Sequence, residues 1–293
     1  MNAFKKMCLS GTVIILCLIL SSYHSSGNYF KHSDAVSIED ALKYKLISLE
    51  ATNLGSYSGE CILMNLTNTT SRPLTVLIEA GRNFASEDTN KQDIVIIKET
   101  LFSLQPFGYQ AKKLFGFCSQ SHKGAPDEND QYTLGNMMPK EVVQLATHLN
   151  KNKYPVDAMQ HAVWTLTNNR PISSVFHTDR DSIKGLQEFL AQYKNEIVPW
   201  YSLEYMPNDS TGMVSNKVKT IYGTLKADLE KGRVIKVVIY DLYNISQIRK
   251  DIKVPEKTKE QPIMVDVSEL PKGRYRILFT SLAGEIDEKI FWI

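Results

Sequence analysis

ECILMNLTN (residues 60–68) decides the fold class of the first half of the chain, because it is a short apolar run that ends in turn-forming residues. Further runs rich in β-branched, aromatic and long apolar side chains lie around it, at residues 45–52, 72–79, 93–104 and 109–118. Turn segments such as NLG at 53–55 and QPFG at 105–108 separate these runs. Strands at this spacing predict a β-sandwich.

The hydrophobic period changes to that of helices beyond an acidic segment at residues 124–132, which we interpret as a loop. Val142, Leu145 and Leu149 recur at helical spacing after Pro139, and two further helical patterns begin near residues 155 and 181. We therefore expect residues 36–198 to form an α+β module, a β-sandwich closed on one end or face by helices.

The last part of the chain contains only strand-like runs. Six to seven of them lie within residues 213–293 and predict an all-β, Ig-like sandwich. The segment 199–212 includes MPNDSTG and is predicted to be a linker. The expected fold class is thus an α+β N-terminal module, a β-sandwich plus helices, followed by an all-β Ig-like sandwich.

The composition is that of an ordinary globular protein. The chain has 293 residues, 43% of them hydrophobic, with 34 Lys and Arg against 32 Asp and Glu, a net charge of +2. This balance excludes intrinsic disorder. The scattered cations form no basic stripe, so nucleic acid is not expected as a partner.

The sequence contains no pattern that predicts a cofactor or a metal. His122, His148 and His177 lack metal-ligand spacing, and the acidic loop at 127–130 lacks the Gly and the distal Glu of a Ca²⁺ loop. No glycine-rich phosphate loop is present. We predict no cofactor and no metal.

The N-terminus has the pattern of an export signal. Lys5 and Lys6 precede an apolar run that ends at Leu20, and small polar residues follow up to Gly27. We predict that residues 1–27 are a signal peptide, which leaves no transmembrane segment after cleavage. The protein is expected at the cell surface or outside the cell, and the periplasm remains an alternative.

Two cysteines remain after cleavage, Cys61 and Cys118. An even number of cysteines in an exported chain favours a Cys61–Cys118 disulfide. The alternative is two free thiols that lie near each other.

Gln160 is the most informative residue for function. Helical geometry places it beside Val156, Val163 and Trp164, so that its amide falls on an apolar stripe. A buried amide needs hydrogen-bond partners or a covalent use. The first account is a Gln bonded to backbone groups of a neighbouring loop.

The second account comes from a resemblance. Gln160, Ala162, Val163 and Trp164 resemble the Thr-Gln-x-Ala-apolar-Trp motif of bacterial thioester domains, surface modules that combine a β-sandwich with helices. That resemblance implies a cross-link from Gln160 to a cysteine, and Cys118, which follows an aromatic residue, is the candidate. His161 and Trp164 would be its neighbours.

The C-terminal part has a resemblance of its own. VVIYD at 237–241, LPKGRY at 270–275 and KIFWI at 289–293 are similar to the Ig-like domain that addresses proteins to type IX secretion in Bacteroidetes. The resemblance implies a sorting role. A plain Ig-like sandwich without that role remains an alternative.

Three functions follow from these patterns. The first is an exported bacterial binding or adhesion protein without turnover chemistry, whose ligand is an unknown surface protein or glycan. The second is a covalent thioester adhesin that uses Cys118 and Gln160. The third is a cysteine hydrolase with Cys118 as nucleophile and His161 as base.

Overall fold

The computed structural model describes residues 35–206 and 214–293. Residues 36–293 form one compact unit, which is mostly β with several sheets. The predicted signal peptide, residues 1–27, lies outside the described residues. None of the helices in the described ranges is long and apolar enough to cross a membrane.

The first strands build a closed barrel and a small side sheet. The strands are β1 (Val36–Ser37), β2 (Ile47–Leu54), β3 (Ser58–Asn68), β4 (Leu74–Ile78), β5 (Arg82–Ser86), β6 (Ile94–Ile96), β7 (Thr100–Leu104), β8 (Tyr109–Cys118) and β9 (Glu128–Met137), with helix α1 (Ile38–Lys43) after β1. The barrel order is β2-β3-β8-β6-β5-β9, and the side sheet has the order β1-β4-β7.

The barrel corrects the predicted N-terminal sandwich. The strand that closes it is β9, which pairs with β2 on one side and with β5 on the other. The beginning of β9, which is predicted to be a loop because its residues are mostly polar, is a strand, and Tyr132 is the residue of β9 that is buried in the core. Backbone pairing, rather than an apolar pattern, makes this segment a strand.

Three longer helices pack against one side of the barrel, as the helical periods predict. They are α2 (Lys140–Lys151), α3 (Val156–Thr167) and α4 (Asp181–Lys194), and a short 3₁₀ turn at Ile172–Ser174 precedes α4. Their apolar faces share one buried cluster with Val95, Ile97 and Phe117 of the barrel region. This packing holds the middle of α3 beside the end of β8.

The C-terminal strands form two antiparallel sheets. The strands are β10 (Tyr201–Tyr205), β11 (Val218–Leu229), β12 (Val234–Tyr240), β13 (Ser246–Lys253), β14 (Thr258–Asp266), β15 (Arg274–Ser281) and β16 (Gly284–Trp292). One sheet has the order β10-β11-β14 and the other β13-β12-β15-β16, and their apolar residues share a single core.

The predicted linker at 199–212 is wrong for residues 201–205, which form β10 and pair with β11. Tyr201 and Leu203 are buried in the C-terminal core, and Ser202 accepts a hydrogen bond from Gln187 Nε2 of α4 at 3.1 Å. The strand therefore contacts both parts of the chain, because each of its faces has partners. Residues 207–213 lie outside the described residues.

Candidate functional site

Gln160 is enclosed in the structure, with 1% of its surface exposed. This confirms the sequence-based prediction of its burial, although Val156, which the prediction placed beside it, is itself exposed in the first turn of α3. Trp164, one turn later, is 3% exposed and packs in the barrel core. The helix thus directs the Gln160 amide toward the barrel.

The Gln160 amide bonds to both backbone groups of Cys118. The backbone N–H of Cys118 donates to Gln160 Oε1 at 3.1 Å, and Gln160 Nε2 donates to the Cys118 carbonyl oxygen at 2.8 Å. The amide therefore pairs with the last residue of β8 as a neighbouring strand would. These two bonds remove the cost of burying the amide, and they bring together the two residues that the thioester resemblance singled out.

Cys61 and Cys118 are both buried and both free thiols, so the expected disulfide is not formed. Cys118 lies opposite Tyr57 in the ladder between β3 and β8, since its N–H donates to the Tyr57 carbonyl. Cys61 sits four residues further along β3, in a bulge. The offset is about three residue rises, roughly 10 Å, whereas bridged Cα atoms lie within about 7 Å.

Burial controls the ionisation of both thiols. It raises the pKa of Cys61 to about 12 and the pKa of Cys118 well above the ordinary thiol range, in the second case with a smaller contribution from Cys61. Both side chains are therefore neutral thiols at physiological pH. A neutral, enclosed thiol is a poor nucleophile.

His161 follows Gln160 on α3 and stacks against Tyr205 of β10, with ring centroids 6.1 Å apart. The Arg170 guanidinium also lies over the Tyr205 ring, at 4.4 Å from its centroid. Burial, followed by the charge of Arg170, lowers the pKa of His161 to about 4. The imidazole is therefore neutral at physiological pH, when one ring nitrogen carries a proton and the other accepts.

A pocket of about 370 Å³ opens beside these residues, and we call it the Gln160 pocket. It lies where α3, β10, the turn between β2 and β3 and the segment before β6 meet. The residues that matter for its chemistry are Tyr57, Gln92, Asp157, Gln160, His161, Trp164, Phe176, Glu204 and Tyr205. Its volume falls in the range of about 300–1,000 Å³ that is typical of small-molecule sites.

Three residues that line the Gln160 pocket have an enclosed polar atom without a hydrogen-bond partner among residues 35–206 and 214–293. These atoms are Gln92 Oε1, His161 Nδ1 and Trp164 Nε1. Each such group costs about 1–3 kcal/mol of stability, and buried polar groups in proteins are usually paired. Three of the nine such atoms of the described residues belong to residues that line this one pocket.

The charged groups of the Gln160 pocket are carboxylates. Asp157 is exposed, and Glu204 accepts from Lys219 Nζ at 3.1 Å and from the Tyr222 hydroxyl at 3.2 Å. The described lining contains no Lys or Arg. Tyr57 has its hydroxyl near Asp157, and burial followed by the charge of Asp157 raises the pKa of Tyr57.

The other residues considered in the sequence analysis lie apart from this pocket. His148 Nε2 bonds to the Tyr154 hydroxyl at 2.9 Å, and His177 Nδ1 accepts from the backbone N–H of Asp179 at the start of α4. Asp127 pairs with Lys91 at 2.6 Å. Residues 35–206 and 214–293 contain no cluster of three or more His, Cys, Asp or Glu that could hold a metal.

The pocket residues that sequence reasoning missed come from distant segments. Tyr57, Gln92 and Glu204 carry no local signal, because a turn tyrosine, a loop glutamine and a strand glutamate are common on protein surfaces. Their role becomes visible when the barrel, α3 and β10 are assembled. The signal available in the sequence was the polar residue on the apolar stripe of α3.

Comparisons with known proteins add little to this description. No protein-family model matches the chain, and no curated protein is similar to it. One solved structure that was found is a β-glucosidase from Kluyveromyces marxianus, with a TM-score of 0.18 and 9% sequence identity, over 79% of this chain and 44% of that chain. A TM-score this low does not indicate a shared fold.

Proposed function

We propose that the protein is an exported cell-surface or secreted binding protein without turnover chemistry, and that its ligand site is the Gln160 pocket. The observation that carries this proposal is the set of three enclosed polar atoms without partners, on Gln92, His161 and Trp164, around one pocket. The signal-like pattern at residues 1–27 supports export. The neutral, enclosed Cys118 argues against turnover that uses a cysteine nucleophile.

A screen of the mature chain against glycans and extracellular matrix proteins, measured by surface plasmon resonance, tests the proposal. Tyr57→Ala removes a half-exposed ring from the pocket, and Tyr109→Ala removes an exposed ring from the other end of the β3–β8 ladder. We expect a ligand whose Kd rises about tenfold or more in Tyr57→Ala and stays unchanged in Tyr109→Ala. Binding that depends on Tyr109 and is indifferent to Tyr57 would contradict the proposal.

We further infer that the C-terminal sheets are an Ig-like sandwich. Seven strands in two antiparallel sheets with one shared core support it, as does the Tyr275 hydroxyl, which donates to the Pro271 carbonyl at 2.8 Å just before β15. A tyrosine that bonds back to the backbone a few residues upstream is a feature of such domains. The type IX sorting role is tested by secretion of a reporter that carries residues 213–293 in a Bacteroidetes host.

The thioester hypothesis is the second candidate, and the contact between Gln160 and Cys118 favours it. The Cys118 sulfur would attack the Gln160 side-chain carbon, the carbon–nitrogen bond would break, and ammonia would leave with the thiol proton. The acyl–sulfur bond could then be opened by a nucleophile entering from the Gln160 pocket. Burial of both groups would protect the bond from water.

Intact mass of the mature protein separates the two candidates. A thioester lowers the mass by about 17 Da, and methylamine then raises it to about 14 Da above the unmodified value. The Cys61→Ala variant keeps this behaviour, whereas Cys118→Ala abolishes it. An unmodified mass that does not respond to methylamine would exclude the thioester.

The cysteine hydrolase hypothesis has the least support. Among the described residues, no hydrogen bond joins Cys118 to His161, and the Cys118 side chain is fully enclosed. A catalytic thiol needs a lowered pKa, whereas the pKa of Cys118 is raised. We therefore assign no general-base role to His161.

A further inference from the structure

We propose that the Gln160 pocket binds a polyhydroxylated ring, a sugar residue of a glycan. The inference rests on the proposed function and narrows its ligand to one chemical class. Four properties of the pocket carry it: the mixture of donors and acceptors that lack partners, the charges of the lining, the aromatic rings and the size.

The polar atoms without partners are of both kinds. Trp164 Nε1 is a donor and Gln92 Oε1 is an acceptor, and His161 Nδ1 is one or the other according to its tautomer. Tyr57 also lines the pocket, and its hydroxyl is a further group that can both donate and accept. A ligand that satisfies this set must donate and accept at several points.

Hydroxyl groups meet that requirement because each of them donates one hydrogen bond and accepts others. An ammonium group has three donors and no acceptor, so it leaves Trp164 Nε1 without a partner. An ionised carboxylate only accepts, so it leaves Gln92 Oε1 without one. A ring with several hydroxyls offers both functions in several directions.

The charges of the lining also favour a neutral ligand with hydroxyl donors. Asp157 repels an anion, and the described lining contains no Lys or Arg. Glu204 is paired with Lys219, which lies outside the lining, so Asp157 is the one lining carboxylate without an ion pair among the described residues. Both carboxylates remain good acceptors for hydroxyl donors, as charge-assisted hydrogen bonds are stronger than neutral ones.

Aromatic rings supply the apolar part of the site. Tyr57, Phe176 and Trp164 line the pocket, and the Tyr57 ring is 41% exposed. The Tyr205 ring is engaged by His161 and Arg170, so it forms part of the wall. The C–H face of a sugar ring can pack on an exposed aromatic face while its hydroxyls meet the polar rim. The volume of about 370 Å³ suits a small ligand.

Saturation-transfer NMR on the full mature chain tests the inference. The probes are the methyl glycosides of glucose, galactose, mannose and N-acetylglucosamine, with N-acetyl-lysine methylamide as the amine probe and inorganic phosphate as the anion probe. We expect saturation transfer to at least one methyl glycoside and none to the amine or to phosphate.

Two conservative variants locate the binding. Tyr57→Phe removes one hydroxyl, Asp157→Asn removes one charge, and both side chains are exposed enough to leave the fold intact. We expect each to weaken glycoside binding about 2- to 10-fold, the loss of one hydrogen bond. Tyr109→Phe, the same change at the far end of the ladder, should have no effect.

The outcomes separate this inference from the proposed function. Tyr57-dependent binding of the amine or of phosphate, without glycoside binding, overturns the sugar inference and leaves the binding function standing. Glycoside binding that is unchanged in both Tyr57→Phe and Asp157→Asn overturns the assignment to this pocket. Absence of binding to every glycoside overturns the sugar inference, and the wider ligand screen then decides the binding function.

Discussion

The barrel with its helices and the C-terminal sheets differ in how completely their buried polar groups are hydrogen-bonded. The barrel and helical region, residues 36–200, contains all the enclosed side-chain polar atoms that lack a partner within the described ranges. The C-terminal sheets have a core of aliphatic and aromatic side chains and no such atom among residues 214–293. An unpaired buried group lowers stability, and the region that retains several of them is the one in which we propose the ligand site.

The C-terminal sheets and the barrel region also differ in where their charged side chains lie. In the C-terminal sheets the pairs Lys257–Glu230 and Lys226–Glu260 lie in the solvent, and Lys289–Asp287 is partly exposed. In the barrel region Arg82 is buried and pairs with Glu79 and Glu39. We infer that the C-terminal sheets supply stability and presentation, whereas the barrel and helices supply recognition.

Shortening a buried side chain in the C-terminal core should lower the free energy of unfolding more than any other change described below. Phe279 is fully buried between the sheets, and Phe279→Ala is expected to lower the free energy of unfolding by about 3–5 kcal/mol through the cavity it leaves. Urea denaturation followed by tryptophan fluorescence measures the change. A loss below about 1 kcal/mol would contradict the assignment of this region as the stabilising part.

Gln160→Ala should have the next largest effect, because it leaves the Cys118 carbonyl without the Gln160 donor, whereas the Cys118 N–H keeps its bond to the Tyr57 carbonyl. We expect a loss of about 1–3 kcal/mol in the free energy of unfolding. Gln144→Ala is the matched control, since Gln144 is exposed on α2. Equal stability of the two variants would show that the Gln160 pairing does not hold α3 to the barrel.

Stability should decrease between pH 7 and pH 5 because of His161. The pKa of His161 is about 4 in the folded chain and about 6.5 when unfolded, so in this window the unfolded state binds more protons. Well above pH 6.5 His161 is neutral in both states and does not lower the stability. As the pH falls toward 4, the unfolded chain gains a proton that the folded chain does not bind, and the stability decreases. The difference amounts to about 2 kcal/mol at pH 5.

Thermal unfolding at both pH values measures this effect in two variants. His161→Phe should remove most of the decrease, whereas His122→Gln, a change at an exposed histidine, should leave it in place. A decrease of the same size in His161→Phe would assign the pH dependence to other groups.

The smallest effect is expected from the surface charges of the C-terminal sheets. Lys257→Gln breaks an ion pair with Glu230 whose partners both lie in the solvent. Such a pair is screened by water and salt, so the midpoint of thermal unfolding should not change measurably. A clear decrease would show that this region depends on surface charge as well as on its core.

The sequence by itself determined the helices and the positions of most strands. Val142, Leu145 and Leu149 are buried on α2 as their spacing predicts, and the strand-like runs around residues 60–68 and 109–118 are β3 and β8. The burial of Gln160 also followed from its place on α3. Periodic burial is a local property, so a single sequence contains it.

Only the tertiary structure decided how the sheet closes and which residues meet. The polar strand β9 closes the barrel through backbone pairing, which no apolar pattern records. The distance between Cys61 and Cys118 depends on a strand register, and the Gln160 pocket depends on a turn, a loop, a helix and a strand that are far apart in the chain. Long-range register and packing are set by all the elements together, and no local segment specifies them.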